Sequence, residues 1–173
     1  MTTTIAAPAD ATGHGQARRR PRRLAMVASK GTLDGAYPPL ILAATAASLG
    51  WEVGIFFTFY GLDIIHRKKH RKLKVAPLAN PAMPVPVPNL LGALPGMTAA
   101  ATAMMKGWMR DAKLPEVAQF LDMARESGTK LFACSTTMGV MGVKASDLLP
   151  GVDIAGATAF LDFAADADVS LFI

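Results

Sequence analysis

The chain has 173 residues, 51% of them hydrophobic, a formal net charge of +5 and a single cysteine. That length suits one domain with a real core, and one cysteine excludes both an intramolecular disulfide framework and a clustered-cysteine zinc site. A reducing cytoplasm fits such cysteine usage. The positive charge is local: Arg18, Arg19, Arg20, Arg22 and Arg23 crowd the start, and Arg67, Lys68, Lys69, Arg71, Lys72 and Lys74 form a second cluster. Neither cluster carries interleaved aromatics or a recognition-helix pattern, so nucleic acid is not an expected partner.

Residues 1–17 are small, polar and alanine-rich, and 1–22 is expected to be a disordered basic tail ahead of one domain spanning 23–173. The arginines before LAMVAS look like the start of a twin-arginine signal, but Lys30 and Asp34 interrupt the apolar segment too early. LAMVAS (24–29) predicts a buried strand, and SKGTLDG a turn into a helix capped by Thr32 or Asp34. Tyr37 to Leu49 predicts the helix, with Pro38 and Pro39 in its first turn and Gly50 ending it. WEVGIFFTF (51–59) is β-branched and aromatic, the strongest strand signal here. Gly61 opens a short helix that ends in the basic run HRKKHRKLK.

From Val75 to Pro95 prolines exclude a regular element, and the stretch reads as a lid or an interface segment. Met97 to Arg110 predicts a methionine-rich helix, and Pro115 to Gly128 another. KLFAC predicts the third strand, TTMGVMGV a short helix, VDIAG a strand, Thr158 to Ala165 a helix and VSLFI a closing strand. Ala36–Leu62 and Asn89–Met105 are apolar enough to raise membrane association. Glu52, Gly50 and Pro95 interrupt them, which favours buried elements over spanning ones. Strands alternating with helices imply an α/β flavodoxin-like sandwich, with roughly five mainly parallel strands and helices on both faces.

Such sheets react at the carboxyl ends of their strands, and Cys134 stands at one. Unpaired N–H groups opening the following helix favour a thiolate. Ser135, Thr136 and Thr137 offer hydroxyl donors, and the loop of Ser29, Lys30, Gly31, Thr32 and Asp34 is expected to wall the same pocket. The cradle suits the terminal atoms of a thiosulfonate or persulfide. A buried, inert cysteine is the competing reading, and the residues leave both open. A peroxidase needs a resolving partner and acyl transfer needs a histidine base; there is no second cysteine, and nothing places His14, His66 or His70 beside Cys134. A carrier that accepts and hands on a group needs neither. His66 and His70 are four apart, but their cationic neighbours oppose a metal, so a solvated basic face is expected instead, with docking of an acidic partner or holding of a polyanionic sulfur substrate as the open alternatives. Gly31-Thr32-Leu33-Asp34-Gly35 lacks the glycine spacing of dinucleotide sites and the Walker lysine–hydroxyl pair. No cofactor and no metal is expected.

The ordered segments SKGTLDGAY, FFTFYGLDII, LFACSTTMGVMGVKASDLL, VDIAGATAFL and VSLFI resemble the DsrE/DsrF/DsrH-like family, and within it the DsrE2 branch, often labelled peroxiredoxin family protein. The resemblance runs from about Leu24 to Ile173. It implies a flavodoxin-like fold, homo-oligomeric assembly and cytoplasmic sulfur trafficking, with sulfur carried as persulfide or thiosulfonate on the cysteine at Cys134. TusA-like and rhodanese-like proteins are the implied partners in sulfur oxidation or sulfur relay. The missing second cysteine argues against intramolecular transfer and against the peroxidase label.

Overall fold

The computed structural model describes residues 20–76 and 96–173. Five strands build one sheet: β1 (Arg23–Ala28), β2 (Glu52–Phe57), β3 (Lys130–Cys134), β4 (Val152–Ala155) and β5 (Val169–Phe172). All are parallel, in the order β4-β3-β2-β1-β5. This is the expected parallel α/β architecture, with a particular strand order. A flavodoxin sheet runs 2-1-3-4-5; here the chain steps outward from β1 to β4, then returns so that β5 takes the free side of β1.

Side-chain alternation along parallel strands defines two unequal faces. Leu24, Met26, Ala28, Val53, Ile55, Phe57, Leu131 and Ala133 point to the larger core. There they meet α1 (Leu33–Ser48) and α3 (Val117–Glu126), with α2 (Met97–Asp111) packing through Ala101, Met105 and Met109. Ile55 and Phe57 are wholly buried, each contributing roughly 1.5–3 kcal/mol of apolar transfer. On the other face Ala25, Phe56 and Cys134 form a smaller cluster with Phe160 and Phe163 of α5 (Ala157–Ala165). Gly54 permits that contact, because a Cβ there would strike the Phe163 ring.

The sheet's amino end is held by charge. Glu52 accepts from Arg23 Nε at 2.8 Å and from Lys130 Nζ at 3.0 Å, and Arg23 also donates to the Phe163 carbonyl at 2.9 Å. The carboxyl of Glu52 lies below its usual range, chiefly through the Lys130 hydrogen bond, with Arg23 assisting against desolvation. Arg20 and Arg22, assigned by composition to the tail, contact the fold: Arg20 Nη1 donates to the Asp166 carbonyl at 2.7 Å, and Arg22 lies 5.4 Å from the Trp51 ring centroid.

Several local expectations are corrected. α1 begins at Leu33, four residues before Tyr37, so Pro38 and Pro39 lie in its second turn and cannot donate to the carbonyls of Asp34 and Gly35. Packing outweighs that loss, since Pro39 is fully buried against the core. Of the two candidate caps, Thr32 is the one used, accepting from the Gly35 N–H at 3.2 Å. After β2 the chain forms two 3₁₀ segments, Phe59–Ile65 and His70–Lys72, rather than one helix ending in the basic run. That run is also only partly solvated: His70 is 7% exposed, Arg67 Nε donates to the Leu148 carbonyl at 2.6 Å, and Lys69 pairs with Asp63 at 2.7 Å. The Ala36–Leu62 stretch resolves into α1, β2 and a 3₁₀ segment. No helix among the described residues is long and apolar enough to cross a membrane. Most of the proline-rich excursion, residues 77–95, lies outside the described residues.

Candidate functional site at the end of strand β3

β3 is apolar, short and interior to the sheet, and its last residue is Cys134. Because Phe57 pairs with Ala133 in the β2–β3 register, the next step along both strands brings Thr58 beside Cys134 on the same face. The chain then turns directly into the short helix α4 (Ser135–Met141), with Cys134 as its N-cap residue. Thr137, one turn in, is buried, and its hydroxyl lies 2.9 Å from that of Thr58.

Cys134 is buried, 7% exposed. Burial is the largest single influence on the thiol and pushes it up. It is outweighed by hydrogen bonds from the Thr137 hydroxyl and N–H, the Thr58 hydroxyl and the Thr136 N–H, which together hold Cys134 below the usual thiol range. A thiolate so held is the nucleophilic form of cysteine.

The candidate residues separate into two sets. Thr136 and Thr137 donate to the sulfur, Thr136 through its backbone. Ser135 is exposed at the rim, its hydroxyl 3.8 Å from where a Cβ on Gly156 would stand. The loop after β1 ends at the same edge of the sheet but does other work. Ser29 falls in register two strands from Cys134, about 10 Å away at normal strand spacing, and its hydroxyl donates to the Ile173 carbonyl at 3.1 Å. Lys30 is exposed and Thr32 caps α1. Asp34 accepts from the Ala76 N–H at 3.1 Å, fastening the chain ahead of residue 77. Gly31 lies against the Tyr60 carbonyl, where any Cβ would collide. No hydrogen bond among the described residues joins these five to Cys134.

Thr58 is the donor that composition and local motif did not single out. The motif FFTFYGL contained it, but only the pairing register of β2 with β3 places it beside the sulfur. The residue after it, Phe59, holds a left-handed φ of 46°, unusual for a side chain of that size. This bend turns the chain away from the sheet immediately after Thr58. Among the described residues no group of three or more His, Cys, Asp or Glu is gathered as a metal site.

A strand-end thiol under hydroxyl donors, on a five-stranded parallel sheet, defines the class: an α/β protein with a cysteine-centred site at the carboxyl edge of its sheet. The model of the DsrE/DsrF/DrsH-like family matches residues 20–172, and the chain belongs to that family, on its DsrE2 branch. It is 44% identical over 158 residues to a protein of Allochromatium vinosum named sulfur carrier protein DsrE2, covering 88% of this chain and 98% of the relative. It is 30% identical over 155 residues to the uncharacterized protein YrkE of Bacillus subtilis, covering 88% of this chain and 97% of that one. Among solved structures, the YchN protein of E. coli matches the fold with a TM-score of 0.56 at 13% identity, covering 88% of this chain and 99% of that one.

Proposed function

We propose that this protein is a cytoplasmic sulfur carrier that holds sulfane sulfur or a thiosulfonate on Cys134 and relays it to a partner thiol in sulfur oxidation or sulfur relay. The observation that carries the reading is the donor cluster on the sulfur: a buried thiol that hydrogen bonds nonetheless hold below its usual range. The name of the Allochromatium relative, a sulfur carrier, supports it. With a persulfide donor, the Cys134 thiolate bonds to the outer sulfur as the donor's S–S bond breaks, and the donor departs as its own thiolate. With tetrathionate, the same attack leaves a thiosulfonate on Cys134 and releases thiosulfate. Delivery reverses the first step, an acceptor thiolate taking the outer sulfur and restoring Cys134. Neither direction requires an outside oxidant.

Thr137, Thr136 and Thr58 stabilise the thiolate in this scheme, with Ser135 at the entrance. The loop from Ser29 to Asp34, including Lys30, Gly31 and Thr32, shapes the wider edge. Rhodanese-like donors and TusA-like acceptors are the partners that this chemistry calls for. Copies of the chain assemble into a homo-oligomer, for which the exposed Leu161 and Phe172 on the thinly covered face offer apolar surface. Peroxidase turnover is disfavoured because one cysteine has no resolving thiol.

The test is intact-protein mass spectrometry of reduced protein exposed to tetrathionate, thiosulfate or a persulfidated rhodanese, with Cys134→Ser alongside. A reducible adduct of sulfur or thiosulfonate mass, absent from the folded variant, is expected. Loading of Cys134→Ser would sink the assignment. The depth of the thiol favours one rival, a scaffold with a structural cysteine. A Cys134 blind to iodoacetamide and to every donor would put that rival ahead.

A further inference from the structure

On the opposite face of the sheet from Cys134, a cavity of about 310 Å³ opens between α1, the His70–Lys72 segment, α2 and α3. Its size falls at the lower end for small-molecule sites, and an apolar floor with a few convergent polar groups is their usual composition. Leu73, Met109 and Leu114 contribute the apolar part. Around them stand Arg71, Lys106 and Arg110, opposed by the single carboxylate of Glu116. None of the three cations forms an ion pair among the described residues.

His70 forms part of the wall. It is 7% exposed and lines the cavity. Its Nδ1 lies 3.0 Å from the His66 carbonyl, which can only accept, so Nδ1 carries a proton and Nε2 is the ring's remaining position. Among the described residues no buried side-chain nitrogen lacks both a partner and contact with open space. Nε2 has no hydrogen bond among the described residues, and the ring forms part of the cavity wall. The other polar group, the Tyr37 hydroxyl, is already spent on the Pro115 carbonyl at 3.2 Å.

We propose that this cavity binds a small organic anion with a compact apolar body, its carboxylate or sulfonate head lying among Arg71, Lys106 and Arg110. The apolar floor alone accepts any greasy molecule of the right size; three cations against one carboxylate select the anion. The site shares no residue with the Cys134 pocket, so it stands whether or not the sulfur reading does.

The experiment uses full-length protein carrying [¹³C]methyl-methionine, with the Met109 resonance assigned from a Met109→Leu variant. Octanoate, octane-1-sulfonate, 1-octanol and inorganic phosphate are titrated separately. Octanoate and octanesulfonate are expected to move the Met109 methyl saturably while the deeply buried Met26 stays still. Octanol should bind at least about tenfold more weakly, and phosphate should leave Met109 unmoved. The Arg71→Gln/Arg110→Gln double variant, altered only at exposed positions, should lose about tenfold in affinity for the anions and none for octanol. The proposal is overturned if octanol matches octanoate, if Met109 does not respond, or if all methyl signals shift together as with a surfactant.

Discussion

Thr58, Thr137 and the Cys134 sulfur form a triangle in which two hydroxyl protons face three contacts. At any instant one contact goes without a proton, so the hydroxyls act as a unit rather than as two separate donors. Replacing Thr137 by Val should therefore raise the midpoint of Cys134 alkylation, and Thr58→Val should raise it by less. The double variant should fall short of the sum, because the partners are coupled. The sign follows from the lowered thiol: the iodoacetamide rate should climb with pH through a midpoint below that of an ordinary free thiol. A midpoint above that value in the native protein would mean that burial dominates and that the threonines do not hold a thiolate. Cys134 itself was legible from sequence because an apolar run stopping at a cysteine before small hydroxyl residues marks a strand end. Thr58 was not, since its position depends on a strand register set by residues more than seventy positions apart.

At the level of elements, two loops interlock at the carboxyl edge of the sheet. The segment after β2 passes so close to the segment after β1 that a Cβ on Gly31 would collide with the Tyr60 carbonyl, and one on Gly61 with the Ala28 carbonyl. Both obstacles are backbone, which cannot swing aside. Gly31→Ala and Gly61→Ala should each cost roughly 1–3 kcal/mol in chemical denaturation, and Gly61→Ala should also shift Thr58 and slow alkylation of Cys134. Unchanged stability in both would show that the loops are not so closely packed. At the sheet's amino edge the lowered carboxyl of Glu52 gives a stability that is present above the ordinary carboxylate range and is lost as pH falls through the folded value. Glu52→Gln should be less stable than the native protein near neutrality, with the difference narrowing below about pH 4; a difference that is constant with pH would assign the loss to packing. The strands and most helices were legible because apolar runs of strand length are bounded by glycine and charge. The start of α1 was misjudged because Pro38 and Pro39 signal a first turn, whereas burial of Pro39 lets the helix begin at Leu33.

For the molecule as a whole, the strand order is what local pattern could not reveal. Alternating strands and helices imply a parallel sheet, but whether the last strand closes beside β1 or beyond β4 depends on which face α5 crosses. Crossing with only α5 leaves that face thinly covered, with Phe172 76% and Leu161 63% exposed. Light scattering after size exclusion should give a mass of more than one chain, and Phe172→Glu with Leu161→Glu should reduce it; a monomeric native protein would refute assembly through this face. The placement of Cys134 in the sheet also bears on how two partners take turns. The sulfur has Thr58 on one flank and, through the pairing of Cys134 with Ala155, the strand leading to Gly156 on the other. The first flank is filled by the hydroxyl pair, and Ser135 stands exposed at the rim. Under the proposed carrier reading, donor and acceptor enter past Ser135 and cannot occupy the cysteine together. For a carrier reading of this geometry the steady-state signature is ping-pong: a family of parallel double-reciprocal lines as the acceptor concentration is varied, with each partner inhibiting competitively against the other at high concentration.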